Sequence, residues 1–537
     1  DLHLLSRRQR QMCIRDSYTV NNGQYSQTYA DVLVNINKRI QDFTIVANIG
    51  ASYSGVTSKE LGYAGPIRET GIPNLFNVYD LDNAKKRATQ VGWREATESI
   101  FASAEVGWKS MLYLTVTGRN DWASQLTHSP QASFFYPSVG LSAVITEILK
   151  LPDWVDYLKV RGSFSSVGNP YPRFLTYPTY SYDANKQDWK SQTNYPIGKL
   201  YPERTDSWEV GLDATLFKDF KLSGSFYYAN TYNQTFDPRL PVSSGYDKLY
   251  VQTGYVRNYG FEAMLSYGHR WGDFGWDSSF TFSANKNEIV ELVKDYVHPE
   301  TGKTYNVDKL ELKTDEGRGF GKAKFILKEG GTLGDLYTHA DLKRDINGNI
   351  LIDDSGNVTA IDNAGDIKLG SVLPKANLAW NNSFSYKGIN AGFLLTARLG
   401  GIVYSATQAY LDLYGVSETS AAARDAGGVW INGRSHVNPQ SFYEVVASQS
   451  GLPTYYTYSA TNLRLQEAHI GYTVPRRWLG NVCDINVSLV GRNLWMIYCK
   501  APFDPEAVAT TNNYYQGIDY FMMPSTRNIG FNIKINF

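Results

Sequence analysis

One stretch of the sequence, DINGNILIDD at 345–354, has the residue types of a calcium-binding loop. Oxygen-bearing side chains recur there at alternate positions, as in loops that surround Ca²⁺ with carboxylate and amide oxygens. However, Ile350 stands where such a loop needs a turn glycine, and no Glu occupies the twelfth position. The alternative is a plain Asn/Gly turn. The candidate calcium ligands are Asp345, Asn347, Asn349 and Asp353.

Aromatic side chains in the long connecting segments form a second candidate site, for substrate contact. Flat rings of this kind pack well against the C–H faces of sugar rings. The alternative is that the rings order the loops or lie in the headgroup region of a membrane. The candidates are Trp189, Tyr195, Tyr201, Tyr455, Tyr456, Tyr514 and Tyr515.

The sequence gives no support for catalysis, and we predict that the protein is not an enzyme. Its histidines are scattered, with no HExxH or Cys/His spacing for zinc, and no GxSxG nucleophile motif occurs. The glycines of GRGFG at 317–321 lack the strand and helix of a phosphate-binding loop. Asp353 and Asp354 lie in a loop, where paired acids are usually solvated rather than hydrolytic.

The elements that would position these residues are β-strands with a period of two. In SWEVGLDATLF, Trp208, Val210 and Leu212 face one way while the residues between them are polar or glycine, which predicts a strand wetted on one side only. The pattern predicts about fifteen such strands, near 27–37, 42–54, 97–107, 111–120, 136–147, 156–167, 205–217, 220–232, 257–268, 275–286, 376–387, 389–400, 461–474, 483–493 and 526–537.

The composition suits such strands. Aromatic residues make up 14% of the chain, with 39 Tyr, whereas only 42% of the residues are apolar. The sequence contains no run of 18 apolar residues that would predict a transmembrane helix. The formal net charge of +0 offers no electrostatic case for binding nucleic acid. The three cysteines fit neither a disulfide framework nor a metal ribbon.

The connections between the predicted strands alternate strictly between short and long. This asymmetry is typical of an outer-membrane barrel, with tight periplasmic turns and long extracellular loops, so we predict an all-β transmembrane antiparallel barrel. The alternative, a soluble sandwich or propeller, would have more uniform turns. The prediction places 218–219 and 388 in the periplasm and exposes four segments outside, at 121–135, 168–204, 287–375 and 401–460.

The last strand, NIGFNIKINF at 528–537, alternates without a break and ends on a bare aromatic residue. It resembles the signal that the outer-membrane assembly machinery reads. The alternative is an ordinary barrel strand with an aromatic side chain at the lipid boundary. The residues of the proposed signal are Phe531, Ile533, Ile535 and Phe537.

The first residues, DLHLLSRRQRQMCIRDS at 1–17, differ from the rest. They are basic and have no apolar segment of a signal peptide, and they resemble translated vector or adaptor sequence. We therefore predict that 1–17 is a non-native segment, with a genuine basic loop as the alternative. We predict that 18–537 is the C-terminal part of a β-barrel with long extracellular loops, an N-terminally truncated fragment.

Nine motifs together resemble the C-terminal barrel of SusC-like TonB-dependent transporters (SusC/RagA family) of the Bacteroidota. They occur in family order and cover almost everything after residue 27. The motifs are LTVTGRNDWAS (114–124), FYPSVGLSAVITE (135–147), LKVRGSFSSVGN (158–169), ERTDSWEVGLDATLFKDFKLSGSFYYANTYN (203–233), NYGFEAMLSY (258–267), NLRLQEAHIGYTVP (462–475), VGRNLW (490–495), FDPE (503–506) and MPSTRNIGFNIKINF (523–537).

The resemblance implies a 22-stranded barrel around an N-terminal plug, of which this chain would hold about fifteen strands and no plug. It implies active import of large nutrients, most often glycan oligosaccharides, across the outer membrane. The implied partners are a SusD-like lipoprotein lid, outer-membrane lipid, and the TonB–ExbB–ExbD complex acting through the missing N-terminal region. A peptide, siderophore or vitamin receptor, a passive porin and, less favoured, an outer-membrane enzyme are the alternatives.

Overall fold

The computed structural model describes most of the chain. The described residues are 17–68, 75–175, 179–183, 188–191, 194–195, 200–236, 248–249, 251–297, 302, 304–312, 321–433, 435–509 and 516–536. Among them, no helix is both long and apolar enough to cross a bilayer.

A single antiparallel sheet of fifteen strands dominates the fold. The strands follow one another in the sheet in the same order as along the chain. The strands are β1 Ser17–Ile40, β2 Phe43–Pro66, β3 Arg87–Trp108, β4 Leu112–Ala123, β5 Ser133–Val144, β6 Val155–Asn169, β7 Glu203–Leu216, β8 Phe220–Phe236, β9 Val251–Trp271, β10 Phe274–Glu291, β11 Ala376–Tyr386, β12 Ile389–Leu399, β13 Asn462–Val474, β14 Asp484–Cys499 and β15 Asn528–Asn536.

Each of the fifteen predicted strands corresponds to one strand of this sheet, so the predicted all-β antiparallel fold is confirmed. The bounds of the first three strands were wrong, because β1, β2 and β3 are longer than predicted. The additional residues, 17–26, 55–66 and 87–96, show little apolar alternation, but their backbones pair with one another in continuous register. Within the described residues the sheet is open, since β1 and β15 each pair on one side only.

Successive links lie at opposite ends of the sheet, because each strand runs antiparallel to the one before it. One end, the short-link end, carries the links 41–42, 109–111, 145–154, 217–219, 272–273, 387–388 and 475–483. The other end, the long-link end, carries 67–86, 124–132, 170–202, 237–250, 292–375, 400–461 and 500–527. The tightest short links use left-handed residues: Gly388 has φ of 90°, and a Cβ there would lie 2.9 Å from the carbonyl oxygen of Thr473.

The two faces of the sheet differ in polarity. On one face, here called the apolar face, Val210, Phe226 and Phe261 stand side by side on adjacent strands, and 59% of the Val210 surface remains exposed. On the other, the polar face, the adjacent row contains Ser225 and Glu262. A soluble sheet would bury its apolar face, so this arrangement is that of a barrel wall whose apolar side contacts lipid.

Aromatic rings gather where the apolar face meets the short-link end. The ring centroids are 5.5 Å apart for Trp154 and Phe217, 4.6 Å for Phe220 and Tyr267, and 5.9 Å for Trp271 and Phe274. Such rows are typical of the girdles at which a barrel meets the lipid headgroups. They mark the short-link end as one boundary of the bilayer.

The long links contain further elements. Their short strands are Tyr180–Asp183, Asp188–Ser191, Asn194–Tyr195, Lys248–Leu249, Val293–Val297, Thr304–Val307, Lys309–Leu312, Ala323–Lys328, Asp335–Thr338, Asp341–Leu342, Ala360–Ile361, Ile367–Ser371, Ile402–Ser405, Val429–Ile431, Ser435–Val437, Thr457–Ser459 and Ile518–Asp519. Among the described residues, the α-helices are α1 Ile145–Ile148, which lies in a short link, α2 Ala406–Leu413, α3 Glu418–Asp425 and α4 Pro439–Val446. Turns of 3-10 helix occupy Val78–Asp80, Ser124–Leu126 and Ser448–Ser450 in long links, and Arg476–Leu479 in the short link 475–483.

Three of the long links, 292–375, 400–461 and 500–527, pack together into one body, here called the outer cap. Its main core joins Phe325, Tyr404 and Ile518, one from each link, to Val256 and Ile289 of the barrel strands. These side chains are at least 98% buried. The long links of the outer cap are therefore packed structure and not loose loops.

The alternation of links predicts which residues can be labelled from outside the cell. We expect a membrane-impermeant maleimide to modify Ile346→Cys, at a fully exposed position of the outer cap, on intact cells expressing the complete protein. We expect Asp273→Cys, in the short link 272–273, to react only after the cells are lysed. Both variants would carry Ser at the native cysteines. Labelling of Asp273→Cys on intact cells would reverse or refute the orientation.

Candidate functional site

The polar face of the sheet forms a continuous wall that could hold a polar ligand. In a barrel whose apolar side contacts lipid, this face lines the interior. One row of directly opposed residues runs across seven strands of it, from β6 to β12. The row consists of Arg161, Gly211, Ser225, Glu262, Ser283, Asn377 and Arg398.

Cavities follow this wall. One of about 540 Å³ lies over β3–β6, and one of about 810 Å³ is lined by Arg161, Glu262 and Arg398. A third, of about 910 Å³, lies between the wall and the outer cap, with Thr332 and Ile402 in its lining. The two larger cavities share Glu262, Ser283 and Asn377, so they form one continuous space. Its size is in the range of pockets that hold small-molecule ligands.

Charged side chains on the wall form ion pairs and hydrogen bonds with one another. The guanidinium of Arg161 lies 2.6 Å from the Asp213 carboxylate and 3.6 Å from that of Glu209. The Ser223 hydroxyl donates a second hydrogen bond to Asp213, at 2.7 Å. These contacts fix the direction of Arg161, whose guanidinium also lines the cavity of about 810 Å³.

A second ion-pair cluster joins the wall to the outer cap. Arg464 of β13 lies 2.7 Å from Asp504 and 3.2 Å from Glu506. Its side chain is only 6% exposed, and it also donates to the Asn493 side chain at 3.3 Å. Burial would raise the pKa of Asp504, but hydrogen bonds from Arg464 and the Glu506 backbone lower it below its ordinary value.

The Arg464 cluster was not predicted from the sequence, although its residues belong to three of the nine sequence motifs. Arg464 belongs to NLRLQEAHIGYTVP, Asp504 and Glu506 to FDPE, and Asn493 to VGRNLW. A charged residue in each of the first two motifs was the available signal. The fold supplies the contact, since β13 and the 500–527 link meet at the long-link end.

The predicted aromatic contacts are dispersed over the long-link end. Trp189 is 65% exposed in a hairpin, where its ring lies 5.3 Å from that of Tyr182. Tyr201 is exposed, and Tyr455 is half-buried against Phe442. For Tyr195 the structure describes the backbone strand alone, and Tyr514 and Tyr515 lie outside the described residues.

Tyr456 occupies the core of the outer cap. It is 2% exposed, and its hydroxyl donates a hydrogen bond of 3.0 Å to the buried carboxylate of Asp412. Burial, followed by the charge of Asp412, raises its pKa. Ser417 donates to the same carboxylate. Substrate contact by Tyr456 stays a prediction, while its burial favours the alternative that this ring orders the loops.

The candidate calcium loop forms a tight turn around Asp345. One carboxylate oxygen of Asp345 accepts the backbone N–H groups of Asn347 and Asn349, both at 2.8 Å, and the other accepts the Asn349 side chain at 3.0 Å. These hydrogen bonds lower the pKa of Asp345. Asp353 begins a second turn of the same kind eight residues later, where it accepts the N–H groups of Ser355 and Asn357.

A plain Asx turn therefore accounts for the geometry of both copies. Within the described residues, no group of three or more His, Cys, Asp or Glu side chains is placed to hold a metal ion. The turn is clamped from outside by Asn432, whose side chain accepts from the Ile350 N–H at 3.0 Å and donates to its carbonyl at 2.8 Å. Calcium binding at Asp345 stays a prediction.

The residues of the predicted assembly signal lie on the last strand. Phe531, Ile533 and Ile535 are exposed on the apolar face of β15, where Phe531 is paired with Leu489 of β14. Phe537 lies outside the described residues. Recognition by the assembly machinery stays a prediction.

Comparison with known proteins identifies the family of this chain and several relatives. Residues 5–494 match the family described as TonB dependent receptor-like, beta-barrel. TonB-dependent receptor P3 of Formosa agariphila is 24% identical over 524 residues, which are 90% of this chain and 50% of that protein. TonB-dependent receptor SusC of Bacteroides thetaiotaomicron is 24% identical over 433 residues, 74% of this chain and 40% of that protein. The chain spans about half the length of the curated relatives it matches.

Solved structures show the same fold. The RagAB peptide importer in its closed-closed state superimposes with a TM-score of 0.73 at 17% identity, over 97% of this chain and 56% of the compared chain. In the open-open state of RagAB the TM-score is 0.68.

Proposed function

Because this chain belongs to the TonB-dependent receptor-like β-barrel family, we propose that the complete protein imports glycan oligosaccharides across the outer membrane. Its curated relatives are TonB-dependent receptors, SusC among them, and not enzymes. The protein accordingly resides in the outer membrane of a Gram-negative bacterium.

The observation that carries the proposal is the continuous space between the polar wall and the outer cap. Its lining includes serine, threonine, asparagine and charged side chains, which can exchange hydrogen bonds with the hydroxyls of a sugar, next to apolar side chains such as Leu378 and Ile402. A peptide would also find hydrogen-bond partners there, and RagAB is a peptide importer. Peptide import is therefore the alternative substrate class.

We propose that the energy for import comes from the TonB–ExbB–ExbD complex of the inner membrane, acting through a plug domain. The test is uptake of fluorescent maltoheptaose, laminarihexaose and a heptapeptide by cells that carry the complete protein, with and without TonB. Uptake of a glycan that stops when TonB is lost supports the proposal. Uptake that survives the loss of TonB indicates a passive porin, and uptake of the peptide alone indicates the alternative class.

We also propose that a SusD-like lipoprotein docks on the outer cap. Large apolar side chains are exposed there on the 400–461 link, namely Tyr414 at 74%, Val416 at 70% and Trp430 at 61%. Exposed apolar residues of this size on a packed surface mark interaction sites. Deleting the whole link would also remove Tyr404 and Tyr456 from the core of the cap, so point substitutions give a cleaner test.

We expect Val416→Glu combined with Trp430→Glu to reduce co-purification of the lipoprotein by about tenfold or more, since hot-spot residues each contribute about 2 kcal/mol or more. Trp478→Glu is the matched control: that ring is 64% exposed but lies in the short link 475–483. The measurement is the ratio of the two proteins in pull-downs from detergent extracts. Unchanged co-purification of the double variant would show that this surface does not bind the partner.

A further inference from the structure

Strands β1–β3 extend beyond the bilayer. Their outer residues, 17–28, 55–66 and 87–96, are here called the ribbon extension. Trp93 lies fifteen residues from Trp108, which ends β3 at the short-link end. At about 3.3 Å per residue and a tilt of about 45°, Trp93 stands about 35 Å above that boundary, whereas the apolar band of a barrel is about 25 Å tall. The ribbon extension is therefore in water.

Two aromatic rings face the barrel axis on this extension. Ser58 of β2 is directly paired with Tyr25 of β1 and with Trp93 of β3, so the three side chains lie in one row. They share the polar face with Asn48 and Ser103, whose side chains are hydrogen-bonded to each other. The small Ser58 leaves room for the two rings to meet above it, with their centroids 6.5 Å apart in an edge-to-face arrangement.

The Trp93 ring is held in place by charged groups. The guanidinium of Arg173 lies 3.5 Å from the centroid of the Trp93 ring. Arg173 is in turn fixed by the Glu95 carboxylate at 3.1 Å, and Gln125 donates to the same carboxylate at 3.3 Å. A cation over one face of an indole is attracted by the ring quadrupole, and the ion pair stops it from moving away. The ring is thus preorganised, with hydrogen-bonding groups beside it.

The second ring, Tyr25, contacts Trp93, and no charged group of the described residues lies over it. It lies on β1, the edge strand of the open sheet, and within the described residues it is 65% exposed on the inward face, above the level of the lipid. Large exposed aromatic groups rimmed by polar side chains are typical of binding sites.

We propose that Tyr25 and Trp93 form a stacking subsite for a pyranose ring of the transported oligosaccharide, with Glu95 and Arg173 beside it to bind hydroxyl groups. This inference rests on the proposed import of glycans. It adds a site at the outer end of β1–β3 where the glycan would bind. The exposed Tyr25 ring, in edge-to-face contact with Trp93, offers apolar surface to the C–H face of the sugar, and the adjacent charged groups offer a donor and an acceptor.

The test uses the complete protein in detergent and isothermal titration with maltoheptaose, laminarihexaose, cellohexaose and xylohexaose. For whichever sugar the unchanged protein binds, we expect Tyr25→Ala to weaken affinity about three- to tenfold, as loss of one ring contact does. We expect Trp93→Ala to weaken it at least as much and Trp93→Phe to weaken it less. Trp208→Leu, on the apolar face, should bind like the unchanged protein.

Tyr25→Ala is the decisive variant, because the Tyr25 ring is not the one that Arg173 covers, so its removal leaves the Arg173–Glu95 anchor in place. Heat-modifiable migration on gels checks that each variant is a folded barrel. Equal affinity of Tyr25→Ala and the unchanged protein overturns the subsite, and so does binding of none of the four sugars. If Tyr25→Ala weakens binding but uptake does not depend on TonB, the subsite stands and the proposed transport mechanism fails.

Discussion

Replacing Arg464 with Ala is expected to destabilise the folded protein by about 3–5 kcal/mol. The substitution leaves the carboxylate of Asp504, which is 9% exposed, buried without its counter-charge. It also removes the contacts of Arg464 with Asp504 and Glu506, which join β13 to the 500–527 link. The measurement is urea unfolding of the complete protein in detergent, followed by tryptophan fluorescence.

Arg492→Ala is the matched control for Arg464. Arg492 lies on β14 and pairs with Glu467 at 2.9 Å, but its side chain is 67% exposed. We expect its loss to cost less than about 1 kcal/mol, because exposed ion pairs contribute little. A triple variant, Arg464→Met with Asp504→Asn and Glu506→Gln, removes the charges together and should recover most of the stability. Similar costs for Arg464→Ala and Arg492→Ala would refute the role of the buried cluster.

Removal of Phe537 is the second change for which we expect a large effect. The apolar side chains of β15 continue the apolar face to the short-link end, where the aromatic rows lie. We expect deletion of Phe537 to reduce the amount of assembled barrel severalfold, because both the assembly machinery and the lipid interface favour an aromatic residue there. Phe537→Tyr and Phe537→Trp should assemble nearly as well as the unchanged protein.

The measurement for Phe537 is the fraction of heat-modifiable protein in outer-membrane preparations, compared with total protein by immunoblot. Lys534→Ala, on the opposite side of the same strand, controls for a general effect of changing the terminus. Equal assembly of the deletion and the Tyr variant would remove Phe537 from the signal.

Alternation of apolar and polar residues was enough to predict the barrel strands, because lipid on one side and polar groups on the other impose a period of two. It failed for the ribbon extension, where both faces meet water and residues such as those of VNNGQYSQT (20–28) show no period. The outer cap was predicted as long loops for a different reason. Its strands are short, and its core depends on contacts such as that of Tyr404 with Ser450, 46 residues away.

For the candidate site too, one part was predictable from the sequence and another was not. The types of residue on the polar wall follow from the alternation, but their partners do not. Arg464 and Asp504 are 40 residues apart, and Trp93 meets Arg173 at a distance of 80 residues along the chain. Conversely, Tyr456 was proposed as a ligand contact because it lies in a long link, and it is buried because other links cover it. The position of Tyr456 in the sequence predicts the link to which it belongs, whereas its packing neighbours follow only from the fold.

The shared core of the outer cap constrains how the protein can evolve. Phe325, Tyr404 and Ile518 come from three links, so a substitution at one of them changes the packing of the other two. Loops of a barrel that are independent can be exchanged one at a time. Here, a descendant lineage that acquires a new specificity is expected to change residues of all three links together, whereas separately packed segments such as the Trp189 hairpin are free to diverge alone.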